Sequence, residues 1–407
     1  MALIVKKFGG SSVATPEKMR SIVHRVTSEM NPGDQIVIVV SAMGDTTDDL
    51  VSLANQITSK PYGREMDMLL STGEQISIAL LAMAFEEAGY PAISLTGPQA
   101  GIQTSDAYNK GLIEDIQPKR VLDQLRQGKI VVVAGFQGLT KSGDITTLGR
   151  GGSDTTAVAL AGAMNADVCE IYTDVEGVYS ADPRIVANAK KMMEITYGEM
   201  LEMAHLGAGV MQPRAVEMGS RFGVPIHVRS TFSKNEGTII REEYTMEGKQ
   251  YVIRGIAHDT NVAKIAVMNV SNEPGVAHRL FSAMAENNID VDMIVQSVAQ
   301  QSQERTDIIF TITRTDLPAA QGVLAQLKKD GIIEEVLIDE HMAKVSIVGA
   351  GMLGQPGIAA SMFGVLGKCG VNIEIISTSE ISISCLINEN KVKESVNAIH
   401  EYFFGDK

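Results

Sequence analysis

The stretch from Asp144 to Ala157 reads D-I-T-T-L-G-R-G-G-S-D-T-T-A, and the fold of the first half of the chain is interpreted from it. An apolar run typical of a buried strand, Ile130 to Ala134, precedes it, and Ala157 to Met164 has the pattern of a packed helix. Glycines remove the Cβ atoms that keep a ligand away from the backbone, and Ser, Asp and Thr cap helical N–H groups. The stretch therefore predicts either an anion-binding crossing from strand to helix or a glycine turn with a capped helix.

Two charged residues in this stretch favour the binding interpretation. Arg150 and Asp154 lie four residues apart in a glycine-rich loop, where opposite charges seldom contribute to packing. The spacing matches neither the phosphate-loop order G-x-x-x-x-G-K-[ST] nor the dinucleotide order G-x-G-x-x-G. The stretch by itself indicates an anion site without naming the anion.

The composition limits the classes of protein that need to be considered. A chain of 407 residues predicts two or three domains, and 44% hydrophobic residues with a net charge of -14 are typical of a soluble acidic protein. This balance argues against a general nucleic-acid binder, which would present a basic face. The three cysteines are scattered without metal-ligand spacing, so we expect reduced thiols and no resident metal site.

No segment predicts export or membrane insertion. The apolar part of the N-terminus, Ala2 to Val5, is too short for a signal peptide. The longest apolar helical segment, Ile78 to Phe85, is too short to cross a bilayer. We therefore expect a cytoplasmic protein without a membrane partner.

A lysine and paired glycines follow the first predicted strand, Leu3 to Val5. The run Lys7-Phe8-Gly9-Gly10-Ser11-Ser12 lets backbone N–H groups and an ammonium converge on one phosphate. The alternative is a solvated lysine at a strand edge.

Hydroxyl groups follow the second predicted strand, Ile36 to Val40. The segment Ser41 to Thr47 reads S-A-M-G-D-T-T, and ligands bind beyond the carboxyl ends of parallel strands in open α/β sheets. The same hydroxyls could instead cap a helix that starts near Asp48.

A carboxylate lies inside an apolar helical pattern that runs from Arg64 to Ala88. The segment Ser71 to Gln75 interrupts this pattern, and Glu74 within it is flanked by apolar halves. A buried carboxylate needs a cationic partner. That partner is either a substrate ammonium or an internal arginine, Arg64 or Arg150.

Further strands complete an alternating pattern over residues 1–230. Ala92 to Leu95 is a strand, and the polar segment Thr96 to Tyr108 is interpreted as a hairpin or lid. Val168 to Thr173 opens into a loop, 174–184, whose Asp, Tyr and Arg side chains suit a nucleoside and its phosphates, or form a plain turn. Alternating strands and helices predict an α/β sandwich with a mostly parallel sheet.

The apolar periodicity fades after Ser230, which sets the predicted domain boundaries. We assign 1–232 to the first domain, 233–250 to a linker, 251–342 to a first small module and 343–407 to a second. The short strand within 251–258 is predicted to belong to the sheet of the second module.

The last third of the chain contains an internal repeat. Residues 263–298 resemble 343–379, and E-P-G-V-A at Glu273 to Ala277 matches Q-P-G-I-A at Gln355 to Ala359. Each copy predicts a strand, a Pro-Gly turn, a helix and further strands, which makes two α+β modules. The repeat is either a structural duplication or a pair of ligand sensors with polar groups near their interface.

One strand has no module of its own. The first module can finish with Val336 to Asp339, but the second runs out of chain after the helix Lys391 to His400. We therefore predict that Tyr251 to Ala257 crosses over and completes the sheet of the second module.

Five motifs in order now carry a resemblance that covers essentially the whole chain. They are K-F-G-G-S-S-V at Lys7 to Val13, S-A-M-G-D-T-T at Ser41 to Thr47, S-T-G-E-Q at Ser71 to Gln75, T-L-G-R-G-G-S-D at Thr147 to Asp154, and the segment Thr173 to Arg184. Together they closely resemble the bacterial aspartokinase family. The resemblance implies an α/β amino-acid-kinase sandwich of the carbamate-kinase type, followed by two α+β, ferredoxin-like ACT modules.

The resemblance implies transfer of the ATP γ-phosphoryl group, with Mg²⁺, to the side-chain carboxylate of L-aspartate. The product would be 4-phospho-L-aspartate, in the first step of lysine, threonine and methionine biosynthesis. An aspartate carboxylate with a reference pKa of about 3.9 is already ionised, so no general base is needed. Catalysis should then consist mostly of positioning and charge neutralisation.

Two other functions remain open. Another amino-acid kinase would act on acetylglutamate, glutamate, carbamate or a nucleotide, and Glu74 and the paired ACT modules count against it. A catalytically silent amino-acid sensor would use the first domain as a scaffold, and Lys7, Arg150 and Asp154 together count against that.

The resemblance also assigns roles to residues of the catalytic site. Lys7 stabilises the moving phosphoryl group, and Asp154 orients this lysine and the metal–phosphate cluster. The backbone cradle consists of Gly9, Gly10 and Ser11. The residues implied to bind L-aspartate are Ser41, Thr47, Glu74, Phe136, Arg150 and Ser153. The residues implied to bind the nucleotide are Thr173, Asp174, Tyr179, Asp182 and Arg184.

One motif departs from the pattern of many relatives. This chain reads G-A-G-V-M-Q-P-R from Gly207 to Arg214, where those relatives have lysine in place of Gly209. The resemblance therefore implies one nucleotide-contacting lysine fewer, without removing the activity.

The paired ACT modules imply feedback inhibition by lysine, threonine or both, bound at the interface between the modules. The resemblance also favours a homodimer or higher oligomer through these modules. The residues implied to contact the effector are Asn272, Ala277, Asp290, Gln296, Asn372, Ile373 and Thr378.

A second partner is hypothesised from the segment R-E-E-Y-T that precedes Met246. An Arg-Glu-Glu stretch can be encoded by a purine-rich run that serves as a ribosome-binding site. Translation from Met246 would then produce a free regulatory chain that contains both ACT modules.

Overall fold

Short runs of Val and Ile, fully buried on both faces, form the centre of the larger of two compact units. The computed structural model describes residues 1–244, 252–297 and 305–405. The first unit comprises Met1–Tyr179, Lys191–Ala204 and Gly209–Gln250. The second comprises Ser180–Lys190, His205–Ala208 and Tyr251–Lys407.

The first unit contains a large sheet, a small sheet and the helices that cover them. Its strands, in chain order, are β1 (Leu3–Phe8), β2 (Gln35–Val40), β3 (Ala92–Leu95), β4 (Ile102–Thr104), β5 (Ile113–Ile116), β6 (Ile130–Ala134), β7 (Gln137–Leu139), β8 (Ile145–Thr147), β9 (Val168–Thr173), β10 (Glu194–Thr196), β11 (Ile226–Ser230) and β12 (Thr238–Arg241). Its helices are α1 (Pro16–Glu29), α2 (Thr46–Ile57), α3 (Arg64–Glu87), α4 (Lys119–Arg126), α5 (Gly152–Ala163), α6 (Tyr197–His205) and α7 (Pro213–Phe222).

The large sheet is mostly parallel, as the alternation of strands and helices predicts. Its order is β10-β12-β11-β9-β1-β2-β6-β3, and only the pairing of β11 with β12 is antiparallel. Phe8 at the end of β1 lies opposite Val40 of β2 and Tyr172 of β9. Strands covered on both faces read as continuous apolar runs. The carboxyl ends of β1, β2, β6 and β9 therefore meet at one edge of the sheet.

Helix α3 is continuous, so the predicted interruption at Ser71 to Gln75 is wrong. Gly73 is needed there because a Cβ atom at this position would lie 2.8 Å from the Cβ of Ala42. The helix is also long and apolar enough to cross a membrane, which the segment Ile78 to Phe85 alone did not suggest. However, 44% of its apolar window is buried, and Leu81 belongs to the core of the first unit. Such burial is typical of a helix that packs in the core of a folded domain.

The glycine-rich stretch Asp144 to Ala157 leads from β8, the last strand of the small sheet, into helix α5. The small sheet has the order β5-β4-β7-β8. Strand β4 lies within the segment Thr96 to Tyr108 that is predicted to be a hairpin or lid, but its antiparallel partner β5 begins beyond that segment. Helix α5 begins at Gly152, five residues before the predicted start at Ala157. Gly151 precedes it with φ +71°, a left-handed conformation that glycine adopts without strain.

The segment 233–250 is only partly a linker. It contains β12, which pairs with β10 and β11 in the large sheet. Thr238 is fully buried, and its hydroxyl donates to Met192 O (2.6 Å) and accepts from Val178 N (2.8 Å). These bonds place Thr238–Arg241 within the first unit, beyond the predicted domain end at residue 232.

The second unit contains one six-stranded sheet that serves both repeats. Its strands are β13 (Gly255–Ser271), β14 (Val291–Gln296), β15 (Arg305–Thr313), β16 (Glu335–Val348), β17 (Ile375–Thr378) and β18 (Ser382–Asn388), in the order β14-β15-β13-β16-β18-β17. Its helices are α8 (Val276–Glu286), α9 (Leu317–Lys329), α10 (Ile358–Lys368) and α11 (Val392–Phe404).

The long strands β13 and β16 are each shared between the repeats. The first repeat uses the pairing of Val267 with Val336, whereas Gly255 lies opposite Val348, which belongs to the second repeat. Residues 255–257 therefore lie beside the first strand of the second repeat, where the crossover prediction expects them. Residue 251 of that predicted strand lies outside the described residues.

A segment from the first half of the sequence belongs to the second unit. Within Ser180–Lys190, the Ser180 hydroxyl lies 2.9 Å from His400 Nε2, and Lys190 Nζ donates to Phe404 O at 2.7 Å. Val186 is buried in the same apolar cluster as the second repeat. The predicted boundary at 232 therefore misses this excursion, because nothing in the local sequence marks its long-range contacts.

The first unit contains a buried ion pair, and removing one of its charges tests how much the pair contributes to the stability of the fold. Lys6 is 3% exposed, and its ammonium lies 2.5 Å from Glu170, which Arg229 also contacts at 3.2 Å. Lys6→Met should lower the free energy of unfolding by about 3 kcal/mol, because a buried carboxylate loses its nearest cation. Urea denaturation measures this change.

The matched control is Arg20→Met, which breaks an exposed pair. Arg20 contacts Glu17 at 3.3 Å, and both side chains are mostly exposed, so we expect no measurable change. Equal decreases in the free energy of unfolding for Lys6→Met and Arg20→Met would contradict the prediction that burial makes the Lys6 ion pair important for stability.

Candidate active site

Lys7 and Asp154 form the centre of the candidate site. Lys7 lies near the end of β1, and Asp154 lies in the first turn of α5. Lys7 Nζ is 2.6 Å from Asp154 Oδ1, and their side chains are only 11% and 14% exposed. The structure thus joins the lysine of the first motif to the aspartate of the glycine-rich stretch, residues far apart in the sequence.

The predicted backbone cradle lies directly beside this lysine. A Cβ atom at Gly9 would lie 3.5 Å from Lys7 Nζ. One at Gly10 would lie 2.8 Å from Ala42 O, so a side chain cannot fit there. Ser11 is exposed at the start of the turn that follows. The segment therefore offers open backbone next to a positive charge, an arrangement that suits phosphate oxygens.

Two serines predicted to bind substrate meet beside the cradle. Ser41 Oγ, at the end of β2, lies 3.0 Å from Ser153 Oγ, in the first turn of α5. Gly135 permits this approach, because a Cβ atom there would lie 2.7 Å from the Ser153 side chain. Thr47 is half-buried in the first turn of α2.

Glu74 is a buried carboxylate with one oxygen lacking a partner. The residue is 2% exposed, and Ala42 N donates to its Oε1 at 3.0 Å. Its Oε2 has no hydrogen-bond partner within the described part of the chain. Burial raises the pKa of Glu74 to about 7, although the Ala42 hydrogen bond opposes this rise.

The internal salt bridge considered for Glu74 is absent among the described residues. Arg64 Nε instead contacts Asp144 Oδ1 at 2.6 Å, and Arg150 is exposed in the turn before α5. The free Oε2 excludes a hydrogen bond from either arginine. The other predicted partner of Glu74, a substrate ammonium, stays a prediction.

Phe136 closes the turn that follows β6. It adopts φ +69°, its N–H donates to Thr156 Oγ1 at 3.2 Å, and its carbonyl accepts from Leu148 N at 2.9 Å. A Cβ atom at Gly152 would lie 2.9 Å from the Phe136 ring. These contacts hold the glycine-rich loop, and with it Arg150, against the end of β6.

The predicted nucleotide residues divide between the two units. Thr173 is the last residue of β9 and Asp174 follows it, with the Thr173 hydroxyl 3.0 Å from Asp174 Oδ1. Tyr179 belongs to the same unit, and partial burial raises its pKa. Asp182 and Arg184 belong to the second unit, where Arg184 Nη2 lies 2.7 Å from Asp182 Oδ2 and lowers its pKa. No local sequence pattern predicts this division.

A contact between two hydroxyl groups joins the cradle turn to another loop of the first unit. Sequence reasoning missed Thr231, whose hydroxyl lies 2.7 Å from Ser12 Oγ and so connects the cradle turn to the segment after β11. Its only sequence signal is a hydroxyl placed just beyond a strand end.

At Gly209, a Cβ atom would meet nothing within 4 Å, so the backbone there has room for a side chain.

Four of the predicted effector residues lie at the two edges of the six-stranded sheet. Asp290 and Gln296 flank β14, which forms one edge, and Ile373 and Thr378 flank β17, which forms the other. Asn272 and Ala277 are exposed around the turn before α8, and Asn372 Nδ2 donates to Glu374 Oε1 at 2.9 Å. Asp290 and Gln296 are therefore separated from Ile373 and Thr378 by the width of the sheet within one chain.

Comparison with known proteins extends over the whole chain. A model of the amino acid kinase family matches residues 2–230, and a model of the ACT domain matches 265–326 and 345–403. The aspartokinase of Mycolicibacterium smegmatis is 49% identical over 99% of this chain and 96% of its own length. Aspartokinase 2 of Bacillus subtilis is 47% identical over 99% of this chain and 98% of its own length.

Solved structures show the same architecture. The Escherichia coli aspartokinase III in complex with aspartate and ADP superposes with a TM-score of 0.82 at 25% identity, covering 99% of this chain and all of that one. The same enzyme in complex with lysine and aspartate gives a TM-score of 0.78 at 26% identity, with 99% of each chain covered. The predicted fold class, an amino-acid-kinase sandwich followed by two ACT modules, is confirmed. This chain belongs to the aspartokinase family of amino acid kinases and is a kinase.

Proposed function

We propose that the protein transfers the γ-phosphoryl group of ATP to the side-chain carboxylate of L-aspartate, giving 4-phospho-L-aspartate. The observation that carries the proposal is Glu74, a buried carboxylate whose Oε2 has no hydrogen-bond partner among the described residues. An α-ammonium group is a cation of suitable size and charge to fill that position. The related E. coli enzyme was solved with aspartate and ADP, which supports this substrate pair.

The proposed catalysis depends on positive charge and open backbone. Lys7 offers an ammonium to the transferring phosphoryl group, and Asp154, 2.6 Å away, holds that ammonium in place. Gly9 and Gly10 let phosphate oxygens approach N–H groups. Such preorganised charge acts where negative charge develops in the transition state. No base is required, because the accepting carboxylate is already ionised.

The proposed aspartate site surrounds this centre. Arg150 offers a planar guanidinium that suits a carboxylate, and Glu74 takes the ammonium. The paired hydroxyls of Ser41 and Ser153, 3.0 Å apart, line the space between these charges and the cradle. Thr47 and Phe136 complete the pocket.

Mg²⁺ is proposed to arrive with the nucleotide. Magnesium in kinases is held largely by phosphate oxygens and water, with one or two carboxylates. Within the described residues no group of three or more His, Cys, Asp or Glu side chains converges, which fits such a nucleotide-borne ion. Asp154 is the carboxylate beside Lys7 that could contact it, and the ion would neutralise phosphate charge. The nucleotide itself is proposed to contact Thr173, Asp174 and Tyr179 of the first unit. The nucleotide-binding roles that the resemblance implies for Asp182 and Arg184 stay predictions.

Regulation is proposed to act through the paired ACT modules. The related enzyme solved with lysine supports lysine as an effector, and threonine remains an alternative. Because the implied contact residues flank β14 and β17 at opposite sheet edges, one site built from both sets requires a second copy of the chain. This geometry supports a dimer or higher oligomer.

We also propose that the protein is located in the cytoplasm.

A regulatory chain started at Met246 is proposed as a further partner. Met246 lies outside the described residues, so the hypothesis is tested on the gene and the purified protein. A purine-rich run upstream of the codon and a short chain copurifying with the full-length one would support it. A gene without that run, or a native enzyme with only the full-length chain, would remove it.

The first experiment follows acyl phosphate formation. Purified protein is incubated with Mg-ATP and L-aspartate, ADP release is recorded, and acyl phosphate is trapped with hydroxylamine, with and without lysine and threonine. Hydroxamate formed from aspartate, and suppressed by one or both amino acids, supports the proposal and names the effector. Hydroxamate with glutamate instead of aspartate would favour another amino-acid kinase. No hydroxamate with any acceptor would favour the silent sensor.

Replacing Lys7 should affect turnover more than substrate binding. We expect Lys7→Ala to lower kcat by about 10²–10³-fold with KM for aspartate within a few fold of wild type, since charge on the transferring group acts mainly in the transition state. Steady-state kinetics measures both parameters. The control is Lys119→Ala, an exposed lysine at the start of α4, and unchanged kcat in Lys7→Ala would refute the role.

Replacing Glu74 should stabilise the protein while weakening aspartate binding. The pKa of about 7 means that the carboxylate is protonated in the folded protein at pH 5. Above pH 7 it is ionised, and a buried ionised carboxylate lowers the free energy of unfolding. The free energy of unfolding should therefore fall as pH rises from about 4.5 to 7, and the largest total decrease should be roughly 3 kcal/mol. Glu74→Gln should raise Tm at pH 8 and raise it much less at pH 5.

The same substitution should raise KM for L-aspartate by about 10- to 100-fold, because a charge-assisted hydrogen bond to the ammonium is lost. In the wild type, KM for aspartate should rise as pH falls below 7. Glu86→Gln, exposed on the same helix, is the control for both measurements. A Glu74→Gln variant with lower Tm at pH 8 and normal KM would contradict the assignment.

A further inference from the structure

Asp67 is a buried carboxylate that neither the sequence analysis nor the proposed chemistry uses. It is fully buried on α3, seven residues before Glu74, and a spacing of two helical turns places both on one face. Among the described residues no Lys or Arg forms an ion pair with it. A buried carboxylate without a cation has to be satisfied by hydrogen bonds. The bonds that Asp67 accepts therefore indicate what the residue holds in place.

Three donors from two distant segments satisfy Asp67. Asn109 N donates to Oδ2 at 2.8 Å, and Asn109 Nδ2 donates to Oδ1 at 2.6 Å. The Thr147 hydroxyl donates to Oδ1, also at 2.6 Å. Asn109 itself adopts φ +64°, and its Oδ1 accepts from Gly63 N at 2.8 Å, just before α3 begins. One carboxylate thus joins α3, the loop around Asn109 and the end of β8.

The end of β8 leads directly to Arg150. Thr147 lies three residues before it, and Thr147 O accepts from Gly111 N at 2.8 Å. Gly149 has φ +75°, and a Cβ atom there would lie 3.3 Å from Asn109 O. The backbone that presents Arg150 therefore lies against the loop that Asp67 holds. The same helix that carries Asp67 also carries Glu74.

We propose that Asp67, acting through Thr147 and Asn109, is a positioning residue for recognition of the amino-acid substrate. It sets the distance between Arg150 and Glu74, the two charged groups assigned to the carboxylate and ammonium of L-aspartate. This inference rests on the proposed function. A zwitterion is bound well only when both charges meet their partners together, and a misplacement of about 1 Å can lower the rate by about 100-fold.

Thr147→Val tests the proposal without unpairing several buried donors at once. Valine keeps the shape of threonine and removes the one hydroxyl that joins β8 to Asp67. We expect KM and Kd for L-aspartate to rise about tenfold, with KM for ATP unchanged within about twofold. Steady-state kinetics gives the KM values, and titration calorimetry with L-aspartate gives Kd independently of turnover. Thr147→Ser, which retains the hydroxyl, should restore wild-type values.

The control is Thr146→Val, the same chemical change at the preceding residue. Thr146 is equally buried, but its hydroxyl lies 2.5 Å from Thr104 Oγ1 instead of contacting Asp67. It should lower Tm to a similar extent and leave KM for aspartate unchanged. A normal KM for aspartate in Thr147→Val, the same KM rise in Thr146→Val, or an equal rise in KM for ATP would each overturn the inference. A wild-type chain that forms no hydroxamate would instead refute the proposed function.

Discussion

Close backbone approach around Ala42, at the carboxyl end of β2, is the constraint on which the rest of the candidate site depends. Gly10 and Gly73 approach it from two sides, and a Cβ atom at either would lie 2.8 Å from an Ala42 atom. Ala42 N also donates to Glu74. Strand β1, strand β2 and helix α3 can meet at this point only because two of the contacting residues have no side chain.

This approach brings charges together in a region from which water is largely excluded. Lys7 and Asp154 are nearly buried, and Glu74 has one unsatisfied oxygen. Electrostatic interactions are stronger where water is excluded, and an unpaired buried charge is correspondingly unfavourable. The site therefore stores unfavourable free energy at Glu74 in the absence of a ligand, and a ligand cation would relieve it. Sites that act on charged substrates often show such a balance between stability and function.

The second unit is organised by shared strands. Because β13 and β16 each serve both repeats, neither repeat can complete its sheet without the other. Interleaving also explains how a segment as remote as Ser180–Lys190 comes to pack on α11, through Ser180 and His400. The duplication visible in the sequence is thus a single folded body, and not two independent modules in series.

The sequence by itself determined the fold class and the repeat, and it predicted most of the residues of the candidate site. Apolar runs, glycine-rich turns and motif order are local signals, and they predicted Lys7, Asp154 and Glu74 as chemically important. The start of α5, the continuity of α3 and the strand Thr238–Arg241 were misjudged, because tertiary burial outweighs local propensity at these places. Only the tertiary structure decided which polar groups meet: Arg64 contacts Asp144, Asp67 holds Thr147, and Glu74 Oε2 has no hydrogen-bond partner within the described part of the chain. The physical reason is that such contacts join residues distant in the chain, and their free energy depends on burial and distance, which no local pattern encodes.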